Sequence, residues 1–435
     1  LIIKHMCNLD DRETVEQISE NIYMQYFLGY SSFSSEPPFD ASLFVEMRKR
    51  LGVESLSAIN ERIIGIKRQL QEKEQKDEEL PDQPDKNPEV PIENKGRVIF
   101  DATACPQDIA YPTDLDLLSD AREKAEELID KLYQPTLHGA KPRTYREVAR
   151  KRYLQTAQKK NKSRKEIRKA VGSQLRFLRR DLNAINRLLN AYDKIPLTPK
   201  EYKYLLVINH LYDQQKQMYT RQAHSIEHRI VSIHQPHVRP IVRGKSQAKV
   251  EFGSKIHVSL VDGIAFLDQL SWDAFNEGSW MMDYVEKYRE RFRYYPAEVL
   301  ADQIYCTRDN RSKLKELGIK LLAKPLGRPS AVQIHVSPGE RNPIEGKFGQ
   351  AKTGYGLNRI YARLQGTSET WIACIIMVLN LVKLAGQALY CPILKWLLSF
   401  SARTIVILNF TKMQSEPNYY RNFNLMAVSL KCQAA

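Results

Sequence analysis

The chain has 435 residues, 43% apolar and 27% charged, which leaves room for two or three domains with a sizeable core and excludes global disorder. Its formal charge is +15, and its six cysteines show no CxxC or other metal spacing, which excludes a disulfide scaffold and predicts a reducing, cytoplasmic setting. The most apolar region, 371 to 410, is interrupted by Lys383, Lys395 and Arg403, so buried helices are expected there and no membrane partner.

Residues 1 to 71 read as an N-terminal helical domain. Val15, Ile18 and Ile22 keep helical spacing, Asp40 can cap a helix carrying Leu43, Phe44 and Met47, and Leu56, Ile59, Ile63 and Ile66 continue the pattern. Residues 72 to 96 are acidic and broken by Pro81, Pro84, Pro88 and Pro91, the composition of a solvated linker. The domain that follows, 97 to 435, opens on the apolar run Val98-Ile99-Phe100, a buried strand that delivers Asp101 to one edge of a sheet.

A long helical insertion then spans about 114 to 236. Ile167, Val171, Leu175, Leu178, Leu182, Ile185 and Leu189 form a near-heptad seam that needs a partner helix. The stretch from Glu201 to about Ile230, after the turn at Pro196 and Pro199, is expected to fold back and supply it. Between Lys141 and Lys200 there are 19 Lys and Arg against four acids, an excess of 15 that equals the charge of the whole chain. So one-sided a segment predicts a polyanion partner, nucleic acid by default. Lys165, Lys169, Arg176, Arg179 and Arg180 lie largely off the seam and are placed to line a DNA backbone.

Sheet character resumes from Lys249 to Leu270, with a turn at Asp262-Gly263. A helix from Trp280 to Phe292, a strand from Glu298 to Ala301, a helix from Ser312 to Leu317 and a strand from Ile319 to Ala323 follow. The order predicts an α/β fold, a mixed sheet with flanking helices. Asp302 closes the second apolar strand as Asp101 closes the first. Glu345 stands four residues after Arg341 and seven before Lys352, a spacing that groups the three on a helix surface.

Three acids drawn from distant parts of the chain have the oxygen chemistry that Mg²⁺ or Mn²⁺ prefers. Packed together without a metal they would repel, and at least one would hold a proton. Arg341 and Lys352 would face DNA phosphates. Other motifs carry less: His224 and His228 at i, i+4 lack the Glu of a zinc-protease helix, and Gly244-Lys245-Ser246 has Arg239 where a phosphate loop needs its first glycine. Tyr355, Arg359 and Arg363 would continue the helical face past Lys352, and Trp371, Ile375, Leu379 and Val382 read as core.

On these residues the chain resembles a DDE transposase of a bacterial insertion sequence, of the group whose third acid lies in a Y-x2-R-x3-E-x6-K signature. Arg341, Glu345 and Lys352 match that spacing, and Pro338 takes the tyrosine position. The stretches VIFDATACPQDIAYPTD and VLADQIYCTRDNRSKLKELGIK are similar to the surroundings of the family's first and second acids, and QYFLGYSSFSSEPPFDASLFVEMRKRLG to its N-terminal helical domain. The resemblance implies a ribonuclease H-like core with Asp101, Asp302 and Glu345 as catalytic metal ligands, and metal-dependent cleavage at element ends with strand transfer. It further implies double-stranded DNA partners, the terminal inverted repeats and the target, a homo-oligomeric synaptic complex, and a bacterial, nucleoid-associated location. Family members extend further upstream, so an upstream piece is expected, and residues after about 388 match nothing in the family. A decayed, repeat-binding protein without cleavage and a metal-dependent nuclease without strand transfer are the alternatives.

Overall fold

The computed structural model describes residues 1–78, 93–242, 250–323 and 338–389. The proline-rich core of the predicted linker, the Gly244-Lys245-Ser246 motif and everything past Leu389 lie outside these residues. The chain divides after Leu379 into two units, and the described part of the second is the end of one helix, 380 to 389.

The N-terminal region is helical: α1 (Ile2–Met6), α2 (Asp11–Glu20), α3 (Ile22–Phe27) and α4 (Leu43–Glu78). Asp10 starts α2 with a full capping box, its carboxylate accepting from the Arg12 and Glu13 amides. α4 is broken at Gly52, whose φ of 64° no β-carbon-bearing residue adopts easily. Past the break the buried face is Leu56, Asn60 and Ile64; Ile59 is exposed, so the face is turned by one residue from the predicted one. Ile22, Leu43 and Met47 are exposed as well. These helices lie against the rest of the first unit. Arg48 forms a bidentate pair with Asp11, Thr370 donates to the Arg48 carbonyl, and Lys4 sits over the Trp371 ring.

The sheet has six strands: β1 (Arg97–Pro106), β2 (Arg239–Val242), β3 (Val250–Val261), β4 (Ile264–Ser271), β5 (Glu298–Leu300) and β6 (Lys320–Leu322). β1 is central. It pairs antiparallel with β3 and parallel with β5, β5 pairs parallel with β6, and the far edge of β3 carries β4 and β2, both antiparallel. Asp262 and Gly263, both with positive φ, make the two-residue turn of the β3–β4 hairpin where it was predicted. β2 was not expected. It is short, contains Pro240 and pairs only with β3, conditions under which proline is tolerated in a sheet.

The insertion between β1 and β2 contains α5 (Asp114–Leu132), α6 (Arg146–Ala157), α7 (Arg164–Leu189) and α8 (Pro199–Arg221). α7 buries Val171, Leu175, Leu178, Leu182 and Ile185 of the predicted seam, while Ile167 at its start is exposed. Its main partner is α5, through Leu118, Ala121, Ala125 and Leu128, with α8 adding Leu205, Ile208 and Leu211. α8 ends at Arg221, where Gln222 turns left-handed, so His224 and His228 do not lie on a helix as their spacing suggested.

β4 is followed by α9 (Met281–Phe292), β5 by α10 (Arg308–Glu316), and the described chain closes with α11 (Asn342–Gly354) and α12 (Gln365–Leu389). Ile344 and Ala351 of α11 and Trp371, Ile372, Ile375 and Leu379 of α12 cover one sheet face, over Ile99, Ile256 and Leu300. By length and apolarity Gln365–Gly386 could cross a membrane, yet most of it is buried in this core. Behind the sheet Asp268 of β4 is fully buried; it accepts from His257 Nδ1 at 3.0 Å and from Ser259, and pairs with Arg291 of α9, which also reaches Glu61 of α4.

Candidate functional site

The site is set by register. Ile99 of β1 and Leu300 of β5 are parallel partners, and side chains two residues on return to the same face of the sheet. Two residues beyond Ile99 is Asp101; two beyond Leu300 is Asp302. The strands diverge there. β5 stops and Asp302 caps a single 3₁₀ turn, Gln303–Tyr305, its Oδ1 accepting from the Gln303 amide at 2.7 Å. β1 continues to Pro106, so Asp101 sits inside a strand rather than at its end, opposite Val258 of β3. Its Oδ1 accepts from the Ala102 amide at 2.8 Å.

The third side is α11. Its burial of Ile344 and Ala351 against the same face as Ile99 holds the helix beside β1. The turn before it, Pro338–Arg341, ends on Arg341, whose guanidinium lies between the two aspartates: Nη2 is 3.5 Å from Asp101 Oδ2 and Nη1 is 3.1 Å from Asp302 Oδ1. Arg341 Nε is buried and has no hydrogen-bond partner among the described residues. Glu345, in the first turn of α11, is exposed, and Lys352, in the last, is half-buried.

Burial pushes the Asp101 carboxyl up to about 6; the Ala102 amide and Arg341 oppose the shift, while Asp302 and Glu345 add to it. Among the described residues no group of three or more His, Cys, Asp or Glu is close enough to hold a metal ion. The donor chemistry nonetheless suits one. Asp101 and Asp302 offer carboxylate oxygens, the ligand type of Mg²⁺ and Mn²⁺, on either side of the Arg341 guanidinium.

Tyr305 also belongs to this corner, although no sequence pattern singles it out. Its hydroxyl is buried without a hydrogen-bond partner among the described residues, and burial, with Glu277 and Asp101, drives it well above the ordinary tyrosine range. Tyr355, Arg359 and Arg363 do not extend the Lys352 face, because α11 ends at Gly354; Arg359 instead pairs with Asp108 at 2.8 Å.

The five cations singled out on α7, Lys165, Lys169, Arg176, Arg179 and Arg180, are all exposed on the side away from its buried seam. None pairs with an acid among the described residues, and Arg180 stacks over Tyr145 and Phe177. Arg146, by contrast, is neutralised by Asp130 and Lys159 by Glu166.

A mixed sheet thus brings two aspartates to one guanidinium, with a third acid on the neighbouring helix and a cationic helix elsewhere. Residues 299–382, which include Asp302, Arg341, Glu345 and Lys352, match a transposase DDE domain, that of a phosphoryl-transfer enzyme family, and residues 1–50 match a transposase domain, DUF772. Asp101 and the insertion fall between the two matches. A 112-residue stretch is 34% identical to the uncharacterized protein ORF8 in the nfe locus of Rhizobium meliloti, covering 26% of this chain and 46% of that protein, so the chain spans less than half the length of this relative. No solved structure matches the chain.

Proposed function

We propose that the protein is a DNA transposase that cleaves element ends and transfers strands into target DNA, with Asp101, Asp302 and Glu345 as its metal-holding acids. The observation that carries this reading is the convergence of Asp101 and Asp302 on Arg341, fixed by the Ile99–Leu300 register. Support for a ribonuclease H-like core comes from the strand order, a central β1 with an antiparallel neighbour on one side and two parallel strands on the other.

A divalent ion bound by the acids would activate the attacking water or 3′-hydroxyl and stabilise the leaving oxygen. The chain's own groups do the rest. Arg341, a planar fork already facing the acids, is placed to take a phosphate bidentately, and Lys352 adds a point charge on the same helix. The exposed cations of α7 grip the duplex backbone of the inverted repeats and of the target.

Single replacements Asp101→Asn, Asp302→Asn and Glu345→Gln should abolish Mg²⁺-dependent nicking of inverted-repeat DNA while leaving binding largely intact; retained cleavage refutes the reading. A DNA-binding protein without cleavage is the second reading, favoured by the wide spacing of the acids and by Pro338 in the signature's tyrosine position. The same assay separates the two, and joined products separate a transposase from a nuclease.

A further inference from the structure

From Glu13 to Met47 the chain contains six acids and no Lys, Arg or His, in a protein whose net charge is +15. Within that stretch lies the largest group, among the described residues, of exposed apolar side chains close together in sequence: Ile22, Tyr23, Tyr26, Phe27, Leu28, Tyr30 and Phe33, exposed from 37% at Tyr30 to 82% at Tyr23. On α3, Ile22, Tyr23, Tyr26 and Phe27 occupy one continuous arc, at i, i+1, i+4 and i+5.

The loop that follows is locked to the helix rather than trailing from it. Buried Gln25 donates to the Ile18 carbonyl at 2.9 Å and the Ser34 carbonyl at 2.7 Å, and accepts from the Ser34 amide at 2.9 Å. The Tyr30 amide closes on the Gln25 carbonyl at 3.0 Å, and Gly29, with φ 88°, makes the bend. Asn21 caps the other end of α3. The backbone of the loop that carries Tyr30 and Phe33 is thus tied to α3, so little backbone ordering entropy is lost when the surface is covered.

Aromatic side chains bury about 150–250 Å² each. At the observed exposures the five rings and two aliphatic chains present roughly 800 Å², more than the largest apolar patch of a typical monomer and about one partner's share of a standard interface. Base stacking would also use exposed rings, but single-strand binders interleave them with cations, and the stretch from Glu13 to Met47 contains none.

We propose that this face is an isologous interface between two copies of the chain, Tyr23, Tyr26 and Phe27 packing against the same residues of the second copy about a two-fold axis. A two-fold contact needs no complementary surface elsewhere, and the patch by itself has the area that a stable dimer requires. The acids that flank it, Glu20 and Glu36, would then face their own copies. Raising salt screens that repulsion and strengthens the dimer, the opposite of its effect on DNA binding. The inference does not depend on the catalytic reading.

Sedimentation velocity of the full chain, without DNA and across a concentration and salt series, tests it. The wild type should form dimers that tighten with salt. Tyr26→Ser and Phe27→Ser should each raise the dimer dissociation constant about 30-fold or more, as loss of a central aromatic anchor does. The double variant Tyr26→Asp/Phe27→Asp should be monomeric yet folded, with the melting temperature that the wild type shows when diluted below its dimer dissociation constant, since both side chains are exposed in the single chain. Three outcomes overturn the proposal: a wild type that remains monomeric throughout, variants whose mass matches the wild type, or variants that lose DNA affinity at unchanged mass.

Discussion

Arg291 places one guanidinium nitrogen 2.6 Å from Asp268, a carboxylate with no exposed surface. Burial works against the charge of that acid, yet Arg291, with His257 and Ser259, holds its carboxyl below the ordinary range. The second face of Arg291 reaches Glu61 of α4 at 2.8 Å, so one side chain ties the N-terminal helices to the β4 strand. Arg291→Met should destabilise the fold by about 3–5 kcal/mol at neutral pH, because a buried charge loses its counterion. The loss should shrink as pH falls and Asp268 takes up a proton. Urea unfolding at two pH values measures both.

A second prediction concerns the cost of the candidate site. Asp101 holds its proton to about pH 6 in the fold, against 3.8 for an ordinary aspartate. Between those values the folded chain binds more protons than the unfolded one, so the wild type loses stability as pH rises from about 4 to 6. The loss amounts to at most about 3 kcal/mol. Asp101→Asn removes it: the variant should gain stability over the wild type at pH 7 and little at pH 4, while losing nicking. Thermal melts at both pH values check this.

Gly253 marks a place where backbone meets backbone. A Cβ there would overlap the Cys105 carbonyl, which a flexible neighbour cannot relieve. Gly253→Ala should cost about 3 kcal/mol, visible as a lower urea midpoint. Gly346→Ala, with nothing within 4 Å of the added carbon, is the control and should be neutral or slightly stabilising.

The α7 cations can be tested by salt. Changing Lys165, Lys169, Arg176, Arg179 and Arg180 together to Ala should weaken duplex binding. It should also flatten the slope of log affinity against log salt by about 4.5, if each holds one phosphate. A slope equal to that of the wild type would remove these residues from the interface.

The two aspartates were legible because each follows a short apolar run; Arg341, by contrast, falls in the turn before α11, and among the described residues no third acid is close enough to share a metal with them. What the pattern could not contain is the register. Only the pairing of Ile99 with Leu300 puts Asp101 and Asp302 on one face, and no local signal reports a partner 201 residues away. The α7 seam was legible through its strong amphipathicity, but its partner was not. α5 offers two alanines and five leucines among charges, and nothing local ranks it above α8 as the nearer neighbour. β2 was hidden by Pro240, which reads as a turn until β3 is seen beside it. The end of α8 was hidden because Gln222, not glycine, takes the left-handed turn.

Pro106 and Arg239 bound the long excursion of α5 to α8, and both lie opposite the same residue, Gly253, on its two sides. Two strand spacings, about 10 Å, therefore separate the exit of the excursion from its return. Its apolar interior is built almost wholly from its own helices and does not draw on the sheet. Such an arrangement behaves like a cassette. A short splice could close the gap and leave the sheet pairing untouched, and a different cassette could be received at the same doorway, so that the cationic helices and the acid-bearing sheet are free to evolve as separate parts.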